Sequence, residues 1–329
     1  MLMPRIEYHR PTTLGGVSQL TMQLDGESAL WHFLAGGTDL IPNMKHGNLF
    51  EATPVALISL NGISELSGIC MDGSTIEIGA TTRIATLCAD KLIKAHLPAL
   101  AAAAELVATP QIRNMATIAG NIMVDTRCRY FNQPCHIQES TGVCFKSGGD
   151  RCHIFPMTKS SDPVTCRARF VSDTVPVLML LKAEVVISDG FNERTIFLSQ
   201  LFREDGINPH RLASGEFIRA IRINSENHSR IVYEKLRIRN AIDFPSIGIA
   251  GQVANGKSHC HLRFCVTGVG MSPGLVELDV PLSADRKEQA KAVTDEIKKR
   301  VKVLEQDYFP TGYRRDMIGV MVGNVLHQL

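Results

Sequence analysis

No stretch of this 329-residue chain reads as a membrane span: the apolar run Val175–Leu181 is cut by Lys182, far short of the ~20 residues a span needs. The start, MLMPRIEYHRP, lacks the apolar core of a signal peptide, so the expected location is the cytoplasm. Charge of one sign is lacking too. Against 35 Lys and Arg stand 33 Asp and Glu, and the net +2 gives no reason to invoke nucleic acid or an anionic membrane. With 44% hydrophobic and 21% charged residues the chain is not disordered, and its length suits two or three lobes. There is no HExxH, no Ser–His–Asp arrangement and no paired-carboxylate signature, so no catalytic acid or base is expected. Internal repeats and low-complexity tracts are absent as well.

What is present is an order of short α/β units. WHFLAGGTDL and PVALISL read as strands of a first lobe over about 1–60, and IEIGATT (76–82) as another strand. The Ala-rich block 97–108 is a helix by propensity and stops before Thr109-Pro110, since proline disfavours helical geometry in the residue before it. Residues 171–187 read as a short helix leading into a buried strand, with a turn at Asp189-Gly190. The polar stretch 203–216 is the candidate linker that ends a second lobe, 61–205. Beyond it IRAIRI, YEKLRIR, IGIAGQV and HLRFCVTGV suggest an antiparallel sheet of about four strands. Two amphipathic helices near 285–307 and 314–327 would pack on it and complete a C-terminal region, 217–329.

Five of the nine cysteines crowd into one polar, Gly-rich insertion at about 124–168: Cys128, Cys135, Cys144, Cys152 and Cys166. Such a segment cannot bury a core of its own, and thiolates gathered around a metal or an iron–sulfur cluster would hold it. In the cytoplasm thiols stay reduced, which argues against disulfides. No CxxC pair occurs, which argues against structural zinc. Cys70, Cys88, Cys260 and Cys265 read as small buried hydrophobes.

Leu34-Ala35-Gly36-Gly37-Thr38-Asp39-Leu40 follows a strand-like run; paired glycines let successive N–H groups turn against phosphate oxygens. It is neither a GxGxxG fingerprint nor a P-loop. About 80 residues on, Gln111-Ile112-Arg113-Asn114-Met115-Ala116-Thr117-Ile118-Ala119-Gly120-Asn121 offers a second cradle of small residues, a hydroxyl and an amide.

In this order the two motifs resemble the FAD-binding stretches of the medium subunit of molybdenum hydroxylases, the xanthine oxidase family. The likeness continues through Ser172–Pro176, Tyr233–Arg237, Ala241–Pro245 and Tyr313–Arg315. It implies an α+β fold: a two-lobed FAD-binding domain of the vanillyl-alcohol-oxidase/PCMH type, then a C-terminal domain of the CO dehydrogenase flavoprotein type. By resemblance the FAD site comprises Leu34 to Leu40, Thr109, Thr117, Gly120 and Asn121, with Asp173 near the ribityl or ribose hydroxyls and Lys235 near the ring. The insertion is similar to one in the β subunit of 4-hydroxybenzoyl-CoA reductase, through Asp125–Cys128, Tyr130–Gln133, Gly142–Cys144 and Gly149–His153. That likeness implies a [4Fe–4S] cluster on Cys128, Cys144, Cys152 and Cys166, with Cys135 as the rival to Cys166.

The implied setting is a heterotrimer, doubled, with a large molybdenum-cofactor subunit and a small subunit carrying two [2Fe–2S] clusters. Ferredoxin would supply electrons that leave through FAD, for reductive dehydroxylation to benzoyl-CoA. The alternatives are a xanthine dehydrogenase or N-heterocycle hydroxylase subunit with outward electron flow, and a stand-alone FAD- or zinc-binding regulatory protein.

Overall fold

The computed structural model describes residues 5–46, 54–155, 165–226, 229–305 and 307–329, without the side chains of Cys135 and Asn255. Residues 156–164 of the expected insertion therefore lie outside the described residues, as do 1–4 and 47–53 of the expected first lobe.

The chain opens with β1 (Ile6–His9), α1 (Leu14–Gly26), β2 (Trp31–Leu34), α2 (Leu40–His46) and β3 (Val55–Ser59), and the strands form a parallel sheet in the order β1-β3-β2. All five residues of β3 are buried, as a central parallel strand requires. Thr13 starts α1 by accepting a hydrogen bond from the Gly16 amide at 3.1 Å. The glycine-rich loop leaves the carboxyl end of β2, the end of a parallel strand at which α/β folds bind ligands.

Next come β4 (Ile69–Asp72) and β5 (Thr75–Gly79), then α3 (Ile84–Ala89), α4 (Lys91–His96), α5 (Pro98–Glu105), α6 (Pro110–Arg113) and α7 (Ile118–Ile122). Helix α8 (Cys135–Thr141) belongs to the cysteine-rich segment; α9 (Val175–Leu180), β6 (Glu184–Ser188), β7 (Glu193–Phe197) and β8 (Phe217–Asn224) follow. The strands make an antiparallel sheet ordered β4-β5-β8-β6-β7, and its helices share the largest core of the molecule. All six residues of α9 are buried, at about 1.5–3 kcal/mol of hydrophobic stabilisation for each large side chain.

The last sheet is β12-β11-β10-β9, antiparallel, from β9 (Ile231–Leu236), β10 (Ile247–Asn255), β11 (His259–Thr267) and β12 (Gly274–Pro281). Helices α10 (Arg286–Arg300) and α11 (Thr311–Gln328) cover one face through Val293, Ile297, Ile318, Met321 and Val325. Ala250 and Cys265 point to the other face and join the core around α9. Among the described residues no helix is long and apolar enough to cross a membrane.

Three readings of the sequence need correction. IRAIRI is β8 and pairs with β5 and β6, not with the C-terminal strands; the fourth strand there is β12, whose sequence GLVELDVP was not read as a strand. The stretch 203–216 is no free linker, because Gly206 is tied to the cysteine-rich segment and His210 to α7. Cys70 is exposed rather than buried, because β4 is an edge strand with three exposed residues. Cys260 and Cys265 are buried as expected.

Candidate functional site

The first glycine loop is built to meet a second backbone. A Cβ on Gly36 would lie 2.2 Å from the Met115 carbonyl oxygen, so only glycine lets loop 34–40 touch the end of α6. Gly37 takes φ +69°, and Asn61 fixes the turn by donating to the Ala35 carbonyl at 2.8 Å. Among the described residues, the amides of Ala35, Gly36, Gly37 and Thr38 donate to no protein acceptor. Successive uncommitted N–H groups of this kind are the chemistry that suits an anion. Asp39 faces the other way: it accepts from the Asp125 amide at 3.0 Å and pairs with Arg127.

The second stretch spends its polar atoms inside the protein. Thr109 caps α6 by accepting from the Ile112 amide at 3.4 Å, and Thr117 caps α7 by accepting from the Gly120 amide at 3.2 Å. Asn121 Oδ1 accepts from the Ser172 and Thr174 hydroxyls, each at 2.7 Å. Ala119 sits in α7 and is absent from the residues with positive φ, so alanine fits there without strain. This stretch is a wall that holds α9 to the first loop.

Asp173 and Lys235 come together, but with each other. The Lys235 ammonium donates to Asp173 Oδ2 and to the Leu106 carbonyl, both at 2.9 Å, and the Tyr233 hydroxyl donates to Asp173 Oδ1 at 2.8 Å. Asp173 is only 2% exposed. Burial pushes its carboxyl up and the Lys235 ammonium down, each opposed by its partner's charge. Burial also lifts Tyr233 well above the usual phenol range.

Met115, after α6, and Ile238, Ile242 and Phe244, after β9, are exposed apolar side chains. The Arg127 guanidinium covers the Phe244 ring at 4.4 Å. Ile242 at φ +70° donates its amide to the carbonyl of Ala108, itself at φ +41°. Two non-glycine residues in left-handed geometry facing one another mark a site whose shape is imposed by its surroundings.

The cysteine-rich segment forms a cage. Cys128, Cys144, Cys152 and Cys166, from three separate pieces of chain, line one cavity of about 310 Å³ including its open mouth, together with Phe131, Lys146 and Ile154. The Tyr130 amide lies 3.4 Å from Cys128 Sγ and the Phe155 amide 3.3 Å from Cys152 Sγ, N–H···S contacts of the kind that tune cluster thiolates. Burial raises the Cys128 thiol, and raises Cys166 to about 11. Among the described residues no three His, Cys, Asp or Glu side chains converge closely enough for one metal ion. His153 instead stacks on Tyr130 at 4.5 Å, and the side chain of Cys135 is outside the described residues.

Sequence reading missed the residues that join the two regions. Lys146 donates to Asp125 Oδ1 at 2.5 Å, Thr126 Oγ1 at 2.6 Å and the Gly206 carbonyl at 2.8 Å. Asp125, Asp39 and Arg127 then carry the contact to the glycine loop. The only signal was the run Asp125-Thr126-Arg127 ahead of Cys128, which gives no hint of partners 80 residues away.

Residues 4–224 match the family model described as the FAD binding domain in molybdopterin dehydrogenase. The carbon monoxide dehydrogenase medium chain of Hydrogenophaga pseudoflava is 46% identical over 122 residues, 37% of this chain and 40% of that one. The FAD-binding subunit of an Escherichia coli aldehyde oxidoreductase is 31% identical over 254 residues, 74% of this chain and 76% of that one. A xanthine dehydrogenase FAD-binding subunit of Escherichia coli is 39% identical over 117 residues, 35% and 37% of the two chains. The matches to the carbon monoxide and xanthine dehydrogenase subunits thus span well under half of those proteins. In solved structures, the carbon monoxide dehydrogenase of Hydrogenophaga pseudoflava aligns with a TM-score of 0.75 at 27% identity, over 99% of this chain and 98% of that one. The α+β class, an FAD-binding domain followed by a C-terminal sheet domain, is the one expected. This chain belongs to the family of FAD-binding medium subunits of molybdenum hydroxylases, of the carbon monoxide dehydrogenase and xanthine dehydrogenase type.

Proposed function

We propose that this chain is an electron-transfer flavoprotein subunit carrying an additional [4Fe–4S] cluster beside its FAD. The uncommitted amides of loop 34–40, with exposed Met115 next to Gly36, suit a diphosphate and a planar ring. Ala35 to Thr38 would hold the diphosphate between Leu34 and Leu40, with Asp39 bracing the loop from behind. Thr109, Thr117, Gly120 and Asn121 would shape the facing wall. Asp173 and Lys235 would reach the cofactor by giving up the hydrogen bond that Lys235 now donates to Asp173. FAD supplies electron exchange singly or in pairs, and an iron–sulfur cluster supplies single-electron steps.

The observation that carries the cluster is the meeting of Cys128, Cys144, Cys152 and Cys166 around one void. Four thiols around one cavity match the four thiolate corners that a [4Fe–4S] cluster takes, and the sequence has no CxxC pair of the kind that structural zinc sites use. The chain would work with a large molybdenum-cofactor subunit and a small subunit bearing two [2Fe–2S] clusters, in a doubled heterotrimer. The flanks of the insertion favour the 4-hydroxybenzoyl-CoA reductase type, with ferredoxin feeding the cluster and benzoyl-CoA as product. The second reading, outward electron flow, is favoured by the dehydrogenase names of the matched relatives.

The test is iron, acid-labile sulfide and FAD per chain on anaerobically purified protein. About four irons and four sulfides per FAD are expected, and Cys152→Ser should lower iron while FAD stays. FAD without iron in intact protein would sink the cluster and leave a flavoprotein with a cysteine-rich loop. Activity of the whole complex with ferredoxin rather than NAD separates the two directions.

A further inference from the structure

We infer that Lys146 is a fixed positive charge that raises the reduction potential of the iron–sulfur cluster in the cysteine cage, with Asp125 as its counterweight. The inference rests on the cluster reading above and adds to it a group that touches no thiol. Lys146 lines the cavity, and its side chain is 4% exposed. Its ammonium makes three hydrogen bonds, to Asp125, Thr126 and Gly206, and lies 4.8 Å from the centroid of the Phe131 ring, another wall of the cavity. Gly206 in turn donates its amide to the Cys166 carbonyl at 2.8 Å, so the lysine is clamped beside that ligand. Three donors on three acceptors leave the head group no freedom to turn away.

The electrostatic sign follows from charge alone. Each electron added makes a thiolate-ligated cluster one charge more negative. A buried cation therefore favours the reduced form, and with little water to screen it the effect is far larger than at a surface. Asp125 acts in the opposite sense. Its Oδ1 is held by Lys146 and by the Thr126 amide, while its buried Oδ2 has no partner among the described residues. Negative charge is thus left unquenched on the far side of the ammonium. The pair is a dipole with its positive end toward the thiols.

The experiment is a redox titration of the full chain carrying its cluster, purified anaerobically and followed by electron paramagnetic resonance, with iron determined on every sample. Lys146→Met should lower the ratio of reduced to oxidised cluster at the wild-type midpoint by about tenfold or more, a downward shift of at least about 59 mV for one electron. Asp125→Asn should move the ratio the other way, and Lys146→Arg should stay within about twofold of wild type. A merely structural lysine would cost iron without shifting the midpoint of the clusters that remain. Unchanged midpoints in Lys146→Met and Asp125→Asn, at full iron content, overturn the proposal. If Lys146→Met assembles no cluster, Asp125→Asn decides: an upward shift supports the proposal and an unchanged midpoint overturns it. Wild-type protein without iron is a different failure, that of the cluster reading itself.

Discussion

The glycine loop and the cysteine cage are neighbours held by opposite means. Loop 34–40 hangs from a parallel strand, is pinned by Asn61, and rests directly on the backbone of Met115 and Ala116, just after α6. Its shape is complete in protein alone. The cage has one seven-residue helix, and the core cluster beneath it is Cys128, Phe131, Cys144, Cys166 and Ala168, so three of its five members are the thiols themselves. Polar ties do the rest: Asn132 to the Cys128 amide, the Tyr130 hydroxyl to the Gly142 carbonyl, and Lys146 to three oxygens. A site framed by backbone packing waits for its ligand. On the proposed cluster reading, a site packed on its own thiols would be finished by what it binds.

The sharpest way to break this contrast is to destroy the preformed site. In Gly36→Val the new side chain meets the Met115 carbonyl and Ala116 Cα, neither of which can swing aside as a flexible side chain would. The overlap exceeds ordinary overpacking, which costs about 1–3 kcal/mol. Loss of FAD is the expected outcome, while iron in the cage persists. Absorbance and iron assay read the two separately; loss of both in a folded chain would mean that the cage depends on the loop.

A smaller effect is expected behind the wall. Lys235→Met leaves Asp173 buried with only the Tyr233 hydroxyl, and losing one partner of a buried pair costs about 3–5 kcal/mol. The double variant Lys235→Met/Asp173→Asn removes both charges and should recover most of that loss, since replacing a whole buried pair by neutral groups is often nearly neutral. Denaturant midpoints of the two proteins test this. Equal destabilisation would show that the lysine acts through something other than the aspartate.

The two regions also differ in how legible they were. Strands β2, β3, β5, β6 and β8 to β11 and both terminal helices follow from periodicity and from single residues whose constraints are local, while α5 ends at Glu105, ahead of the stop read at Thr109-Pro110. The glycine loop was visible because a turn is a local event. The protein partners of Asp39, Asn121, Asp173 and Lys235 were not, because each lies between 51 and 88 residues away. Carboxylate, amide and ammonium look alike in sequence whether they face a ligand or one another. IRAIRI was misplaced for the same reason. Its alternation says strand, but only the sheet says that its neighbours are β5 and β6. In the cage the count of cysteines announced a site, while Lys146 carried no signal beyond being one of 35 basic residues.

The smallest expected effect concerns the seam between the regions. His210 lies on the 203–216 stretch; its Nε2 is 3.3 Å from the Ile122 carbonyl at the end of α7, and its ring packs near Phe170 and Phe202. The residue keeps a little surface, but the ring is enclosed, and burial lowers its pKa to about 4. Unfolded, the same ring titrates near 6.5. Between these values the unfolded chain binds a proton that the folded one refuses. Its contribution is therefore complete above about pH 6.5 and is lost as pH falls toward 4, amounting to at most about 3 kcal/mol. In His210→Phe, whose ring fills the space without titrating, the pH dependence of urea stability should flatten over this window relative to wild type. If the two curves stay parallel, the seam is held by something other than a neutral histidine.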